Sequence, residues 1–322
     1  MIKPLTIASS SYVTNIIQGP LAGVSCAPFR RLVWEYSQPA FSYTEMISCS
    51  TLLHQTKAKE RYIKKDEREG PVCFQLAGQN PQELAEATKR VTDYGADLVD
   101  LNCGCPVKKI RSRGAGSSLL SKPHLLYQLM RAMKQNTHLP VSIKIRVDGD
   151  SSDHYNQAII EAINEAGIDF VVVHGRHWSE GYDVPCRYDQ IRFFVENLKI
   201  PVIGNGDVTC LQSLRHLFAT QCAGVMIARA GVGQPWLIKQ LRQELMGEVY
   251  VPPSMVEVGD VFITHIKELA LLLHSEKFAV IQARSLAKYY ARNLEKRQDF
   301  CKKMMVCDDL HVFEQLCHHY FC

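Results

Sequence analysis

Residues 141–175 read VSIKIRVDGDSSDHYNQAIIEAINEAGIDFVVVHG. Two apolar runs, VSIKIRV (141–147) and FVVVHG (170–175), enclose NQAIIEAINEAGI (156–168). The enclosed stretch repeats its apolar residues at helical spacing and ends near a glycine that can cap it. Strand, helix, strand in that order implies a crossover and therefore parallel pairing. The alternation continues outward on both sides. NIIQGP (15–20), FSYTEM (41–46), VCFQLAG (72–78) and LVDLNCG (98–104) precede it, and PVIGNG (201–206) and GVMIAR (224–229) follow. PQELAEATKRVTDYGA (81–96) is another of the intervening amphipathic stretches. Eight such units in roughly 250 residues predict an α/β fold, a (β/α)8 TIM barrel. A doubly wound open sheet is the other arrangement of this pattern, but no G-x-G-x-x-G follows the first strand.

The pattern changes after residue 246. EVYVPPSM (248–255) carries a Pro-Pro break, and apolar runs such as VFITHIKELALLLH (261–274) then read as helices up to Cys322. The expected organisation is a catalytic barrel over 1–246 and a C-terminal all-helical domain over 247–322.

The chain has 322 residues, 46% of them hydrophobic, enough for one large domain and a smaller one. Its opening, MIKPLTIASSSYVTNIIQGP, lacks the charged, then apolar, then small-residue order of a secretory signal. No apolar stretch reaches bilayer length. The expectation is a soluble, cytoplasmic protein whose 12 cysteines are reduced thiols rather than a disulfide framework. Nothing in the sequence calls for more than a monomer.

A net charge of +4 does not by itself announce a nucleic-acid partner. Its distribution says more. KKIRSR places Lys108, Lys109, Arg111 and Arg113 together without an acid. Farther on, Arg284, Lys288, Arg292 and Lys296 recur at i+4, along one broad face of a single helix if the segment is helical. Each run alone reads as solvated surface. Together they point to a polyanion.

The polar residues of the strand runs gather at their C-terminal ends: Gln75, Asn102 with Cys105, Lys144 with Arg146, His174, Asn205 with Asp207, and Arg229. In a barrel that is the end where active sites are built. The last two strands lead into GNGD (204–207) and ARAGVG (228–233). Loops in those positions commonly hold phosphate on backbone N–H groups. Lys144 would put a positive charge deep in the mouth, where it could stabilise the anionic edge of a reduced flavin, and Gln75 could bond the pyrimidine edge of that ring.

Residues 101–116 read LNCGCPVKKIRSRGAG. A C-x-C pair with no second Cys/His pair at ligand spacing is a poor metal site, so no metal is expected. A redox couple would use C-x-x-C opening a helix. Pro106 directly after Cys105, with basic residues and glycines beyond, reads as a mobile loop over the mouth. An ordinary thiol, with a pKa of about 8.5, is mostly protonated at neutral pH. A lone thiol on such a loop can therefore give up a proton.

At these residues the chain resembles the tRNA-dihydrouridine synthases. DLNCGCPVKKIRSRGAGSSLL (100–120) is similar to the family's D-x-N-x-G-C-P signature with its basic, Gly-rich loop. GPLAGVSCAPFR, YTEMIS, QLAG, SIKIR, VVHGR, VIGNGD and MIARAGVGQPWLI follow the family's other motifs in order, so the resemblance spans the chain. It implies an FMN enzyme that uses NADPH to reduce a D-loop uridine of tRNA to 5,6-dihydrouridine, hydride passing from flavin N5 to C6. Cys105 would give the proton to C5, with Cys103 packed behind it. Pro20, Leu21, Ala22, Gln75, Lys144 and His174 would hold the isoalloxazine. Asn205, Gly206, Asp207, Ala228 and Arg229 would lie at its phosphate side. Asn102 and Arg146 would meet the target nucleotide, and Lys108, Lys109, Arg111, Arg284, Lys288 and Arg292 the tRNA phosphates. DNA is not an expected partner, nor is a membrane.

The N-C-G-C-P form resembles the branch acting on uridine 16. Two places depart from the family pattern. Ala228-Arg229-Ala230 stands where G-R-G is usual, and His177 and Glu180 stand where threonine and glutamine are usual. Two other functions fit parts of the sequence: a barrel flavoenzyme acting on a free pyrimidine, like the dihydroorotate dehydrogenases, and an RNA-binding barrel without flavin. The first needs neither the helical tail nor the basic residues.

Overall fold

The computed structural model describes residues 1–54, 60–149 and 153–322. It begins with an antiparallel hairpin, β1 (Leu5–Ile7) and β2 (Ser10–Tyr12). Nine parallel segments follow: β3 (Ile16–Gln18), β4 (Ser42–Tyr43), β5 (Ile47–Ser48), β6 (Val72–Ala77), β7 (Leu98–Cys103), β8 (Val141–Arg146), β9 (Phe170–His174), β10 (Val202–Asn205) and β11 (Gly224–Ile227). They pair in sequence order, and β3 joins β11 on one side and β4 on the other, closing a barrel. β4 and β5 both pair with β6 and are two pieces of one barrel strand, so the barrel has the eight strands the pattern predicts. Where that strand breaks, the Gln75 N–H donates to Thr44 Oγ1 at 3.0 Å instead of to a strand carbonyl.

Alternation within each strand separates two cores. Val99, Leu101 and Cys103 of β7, Ile143 and Ile145 of β8, and Val171 and Val173 of β9 face the surrounding helices. Leu98, Phe170, Val172, Ile203 and Met226 face inward with Phe41 and Tyr43, and the hairpin lays Leu5 and Ile7 against them. The hairpin was not legible in the sequence, because its segment is short and largely polar.

The last helices, Met255–Leu273, Glu276–Tyr290, Arg297–Val306 and Leu310–Phe321, build a separate core. The Phe262 and Tyr290 rings stack there with centroids 4.2 Å apart. Ser254, Ser275 and Asp309 cap three of these helices with their side-chain oxygens. Among the described residues, no helix is long and apolar enough to cross a membrane.

The helical domain docks where β11 ends. Gly233 has φ +70°, and a Cβ there would lie 2.6 Å from the backbone carbon of Tyr289. A residue read as part of a phosphate loop is thus required by domain packing. Arg61 bridges from the other side, pairing with Glu45 at 2.6 Å and donating to Gln282 Oε1 at 2.8 Å.

Candidate active site

Gln75, Asn102, Lys144, Arg146, His174 and Asn205 lie on the C-terminal halves of their strands, at one end of the barrel. Period two turns Gln75, Asn102, Lys144 and His174 inward, while their sequence neighbours pack outward. Cys103 is fully buried on the outward face. Burial pushes its thiol well above the ordinary range. Cys105, past the end of β7, is half-buried at the mouth. The two cysteines therefore sit in different environments.

The Cys105 loop is held from several sides. Asn102 Oδ1 accepts the N–H groups of Cys105 at 3.0 Å and Gly104 at 3.3 Å. Arg146 donates through Nε to the Gly104 carbonyl at 2.8 Å and through Nη1 to that of His177 at 3.0 Å. From behind, the Ser117 N–H donates to the Cys105 carbonyl at 3.1 Å. Gly116 makes that contact possible: its φ is +63°, and a Cβ would stand 2.8 Å from the same oxygen. The stretch after Pro106, expected as a mobile loop, forms a short helix at Lys108–Arg111 and a 3-10 turn at Gly116–Ser121. Lys108 and Lys109 project outward. Arg111 lies over the Trp178 ring, 3.1 Å from its centroid.

Asn102 is itself bound from below. Its Nδ2 donates to Gln75 Oε1, and Gln75 Nε2 donates to Asp100 Oδ2, both at 2.8 Å. Ser142 Oγ donates to the other Asp100 oxygen at 2.6 Å. Ser142 drew no notice in the sequence, and Asp100 only as the first residue of the D-x-N-x-G-C-P run, with no role of its own. A signal was present: each lies two residues before an expected site residue, Asn102 and Lys144, and so shares its face.

Positive charge dominates the mouth. Burial and the neighbouring Arg146 push the Lys144 ammonium down to about 7, with Asp100 pulling the other way. Burial pushes Asp100 up to about 7, against its hydrogen bonds from Ser142 and Gln75 and the charge of Lys144. His174 is driven well below its ordinary value by burial and then by Lys144, Arg146, Arg176 and Arg229. Its surroundings thus favour the neutral imidazole.

On the far side, Asp207 takes both oxygens to Arg176 at 2.6 and 2.7 Å and accepts the Cys186 N–H at 3.1 Å. Arg229 stands 4.0 Å from the same carboxylate and 3.2 Å from the centroid of Tyr182. Asn205 Nδ2 donates to the Met226 carbonyl at 2.9 Å, tying β10 to β11 beside Gly206 and Ala228. Pro20, Leu21 and Ala22 follow β3, where Ser25 Oγ accepts the Leu21 N–H at 2.9 Å. Arg176, Trp178 and Tyr182 were also missed. Only a fold that brings together the loops after strands four, six, seven and eight makes partners of them.

The residues fit a phosphorylated flavin. Four cations bear on His174, while Asp207 binds Arg176 and Asp100 pulls on Lys144. An anionic group would relieve that field. Gln75 and Asn205, at the end of the barrel interior, supply amide donors for a polar ring system.

The expected basic stripe is corrected. The helix Glu276–Tyr290 stops before Arg292, which lies in a 3-10 turn, and Lys296 precedes the next helix. Arg284 gives Nε to the Cys307 carbonyl at 2.9 Å, and Arg292 gives its guanidinium to the carbonyls of Tyr289 and Val232. Lys288 is exposed. Of the three, it is the one placed as a surface cation.

The fold is a TIM barrel with a C-terminal helical domain, and the Cys105 loop, the cationic, amide-lined mouth and the docked domain share one end of it. The dihydrouridine synthase (Dus) family model matches residues 17–321. The chain is 32% identical over 325 residues to a probable tRNA-dihydrouridine synthase of Rickettsia conorii, covering 99% of this chain and 96% of the relative. It is 30% identical over 287 residues to tRNA-dihydrouridine synthase B of Pasteurella multocida (88% and 86% covered). Against the Proteus vulgaris synthase B it is 35% identical over 258 residues, 79% of each chain. The chain belongs to the dihydrouridine synthase family.

Proposed function

We propose that this protein reduces a D-loop uridine of tRNA to 5,6-dihydrouridine, with FMN bound in the barrel mouth and NADPH as the reductant. The observation that carries this is the fixed backbone at Cys105. Cys105 is held at the mouth by Asn102 and Arg146, at the end of the barrel where Lys144 and His174 converge.

Bound FMN supplies the hydride for C6 of the uracil ring. The chain's own residues do the rest. Gln75, Lys144 and His174 hold the ring system, with Pro20, Leu21 and Ala22 at its edge. Asn205, Gly206, Ala228 and Arg229 take its phosphate side, and Asp207 keeps Arg176 and Arg229 in place. A uridine must leave its stack to reach this depth. Asn102 and Arg146 meet it there, and Cys105 protonates C5. As negative charge grows on the uracil, the cations of the mouth stabilise it without having to reorganise. The helical domain, residues 247–322, binds tRNA with Lys288 on its surface, and Lys108, Lys109 and Arg111 add phosphate contacts beside the mouth.

The test is anaerobic mixing of the FMN-loaded, pre-reduced protein with unmodified tRNA while following flavin absorbance. Reoxidation by tRNA, but not by free uridine or orotate, is the expected result, and sequencing the product names the base. Reoxidation by a free pyrimidine alone moves the protein to the small-molecule class. Failure to bind flavin after reconstitution makes it a binding module.

A further inference from the structure

We propose that Asp100 is a positioning residue for the proton donor: through the side-chain amides of Gln75 and Asn102 it sets which way Asn102 points, and so holds the backbone of Cys105 at the mouth. The proposal rests on the reading of Cys105 as the acid.

The argument is one of hydrogen-bond polarity. A backbone N–H can only donate, and the Asp100 carboxyl, pushed up to about 7 by burial, can only accept once the pH is above that value. Cys105 N–H stands at one end of the relay and Asp100 at the other. Between them lie two amides, each of which fits its space in either of two flipped orientations. Starting from Cys105, Asn102 must present its oxygen upward and its nitrogen to Gln75. Gln75 must then present its oxygen to Asn102 and its nitrogen downward, and Asp100 accepts it. Starting from Asp100 gives the same assignment. Ser142 fixes the second carboxylate oxygen.

Exposure is 0% for Asp100, 1% for Gln75 and 8% for Asn102, so water has little room to rescue a flipped amide. Breaking one link in a buried relay leaves an unpaired polar group and a choice of wrong orientations. Asp100→Asn removes the one-way end. The new amide can donate to Gln75, Gln75 can turn over, and Asn102 can follow, bringing an N–H against the N–H of Cys105.

Hydrogen exchange at the Gly104 and Cys105 amides, read by NMR or fragment mass spectrometry on the FMN-loaded protein without tRNA, tests this. Asp100→Asn is expected to speed that exchange by about tenfold. Adding Gln75→Glu should return it to within about threefold of the parent. In that double variant the carboxylate at 75 accepts from both neighbours, so Asn102 again turns its oxygen to the loop. Packing loss alone would not be rescued this way. Unchanged exchange in Asp100→Asn, or no rescue in the double variant, overturns the proposal. Should Asp100→Asn not fold, Gln75→Met cuts the relay at its middle, and unchanged exchange there overturns it equally. The underlying reading fails separately: full uridine reduction by Cys105→Ala removes Cys105 as the acid and leaves the exchange result as it was.

Discussion

The two ends of the barrel interior are lined by the same strands, and their inward side chains differ in kind. At the N-terminal end Leu98, Phe170, Val172, Ile203 and Met226 close on Phe41 and Tyr43, and the hairpin seals them with Leu5 and Ile7. A few residues along, Asn102, Lys144, His174 and Asn205 occupy the inward positions, and hydrogen bonds and charge replace apolar contact. One end is held by burial. The other is held by directed bonds that leave a surplus of positive charge, and that surplus costs stability unless a ligand answers it. Stability and chemistry are thus separated along the barrel axis.

Substitutions at the two ends should fail in different ways. The largest expected effect is on activity at the mouth: Cys105→Ala should cut uridine reduction by about 100-fold or more while flavin stays bound. Cys103→Ala, on the outward face, should lower the melting temperature and keep most of the activity. Equal losses of activity in both would break the distinction. At the sealed end, Phe170→Ala should cost about 3–5 kcal/mol in denaturant unfolding, with the activity of the folded fraction kept.

A third test uses pH. The Lys144 ammonium, pushed down to about 7, is lost as pH rises above that value. An anion beside it favours the charged form and is bound with uptake of a proton. Affinity for reduced FMN, whose ring has the anionic edge, should therefore be highest below about pH 7 and fall as pH rises, by at most about tenfold per unit. Lys144→Met should flatten that slope; the same slope in both proteins would remove Lys144 from the flavin site. The smallest effect is expected on the helical domain. Lys288→Gln should lower the salt slope of tRNA binding by about one. Arg292→Gln should instead loosen the domain contact and show in stability, because its guanidinium binds backbone carbonyls.

Much of this could be read in advance, and the limits of that reading follow from distance along the chain. Strand and helix periodicity is local, so all eight barrel strands and the helices at the C-terminal end were legible. So was the gathering of Gln75, Asn102, Lys144, His174 and Asn205 at strand ends. The broken second strand was not, because a side-chain hydroxyl from Thr44 replaces a ladder carbonyl there. The i+4 spacing of Arg284, Lys288, Arg292 and Lys296 predicted one face of one helix. The chain leaves that helix after Tyr290, where Gly233 lies against its last backbone atoms and the Val232 carbonyl accepts Arg292.

The amino-acid sequence by itself determined the order of strands and helices, the identity of the polar groups at the mouth and the family. Those depend on spacing and residue type within short windows. Tertiary structure alone decided which groups are partners: Asp100 under Gln75, Arg146 across to Gly104 and His177, Arg229 beside Asp207, and Arg292 turned into the domain interface. Barrel closure sets those pairings by bringing together residues far apart in the chain. Burial then converts each pairing into a definite orientation, since a polar group cut off from water must find its partner inside the protein.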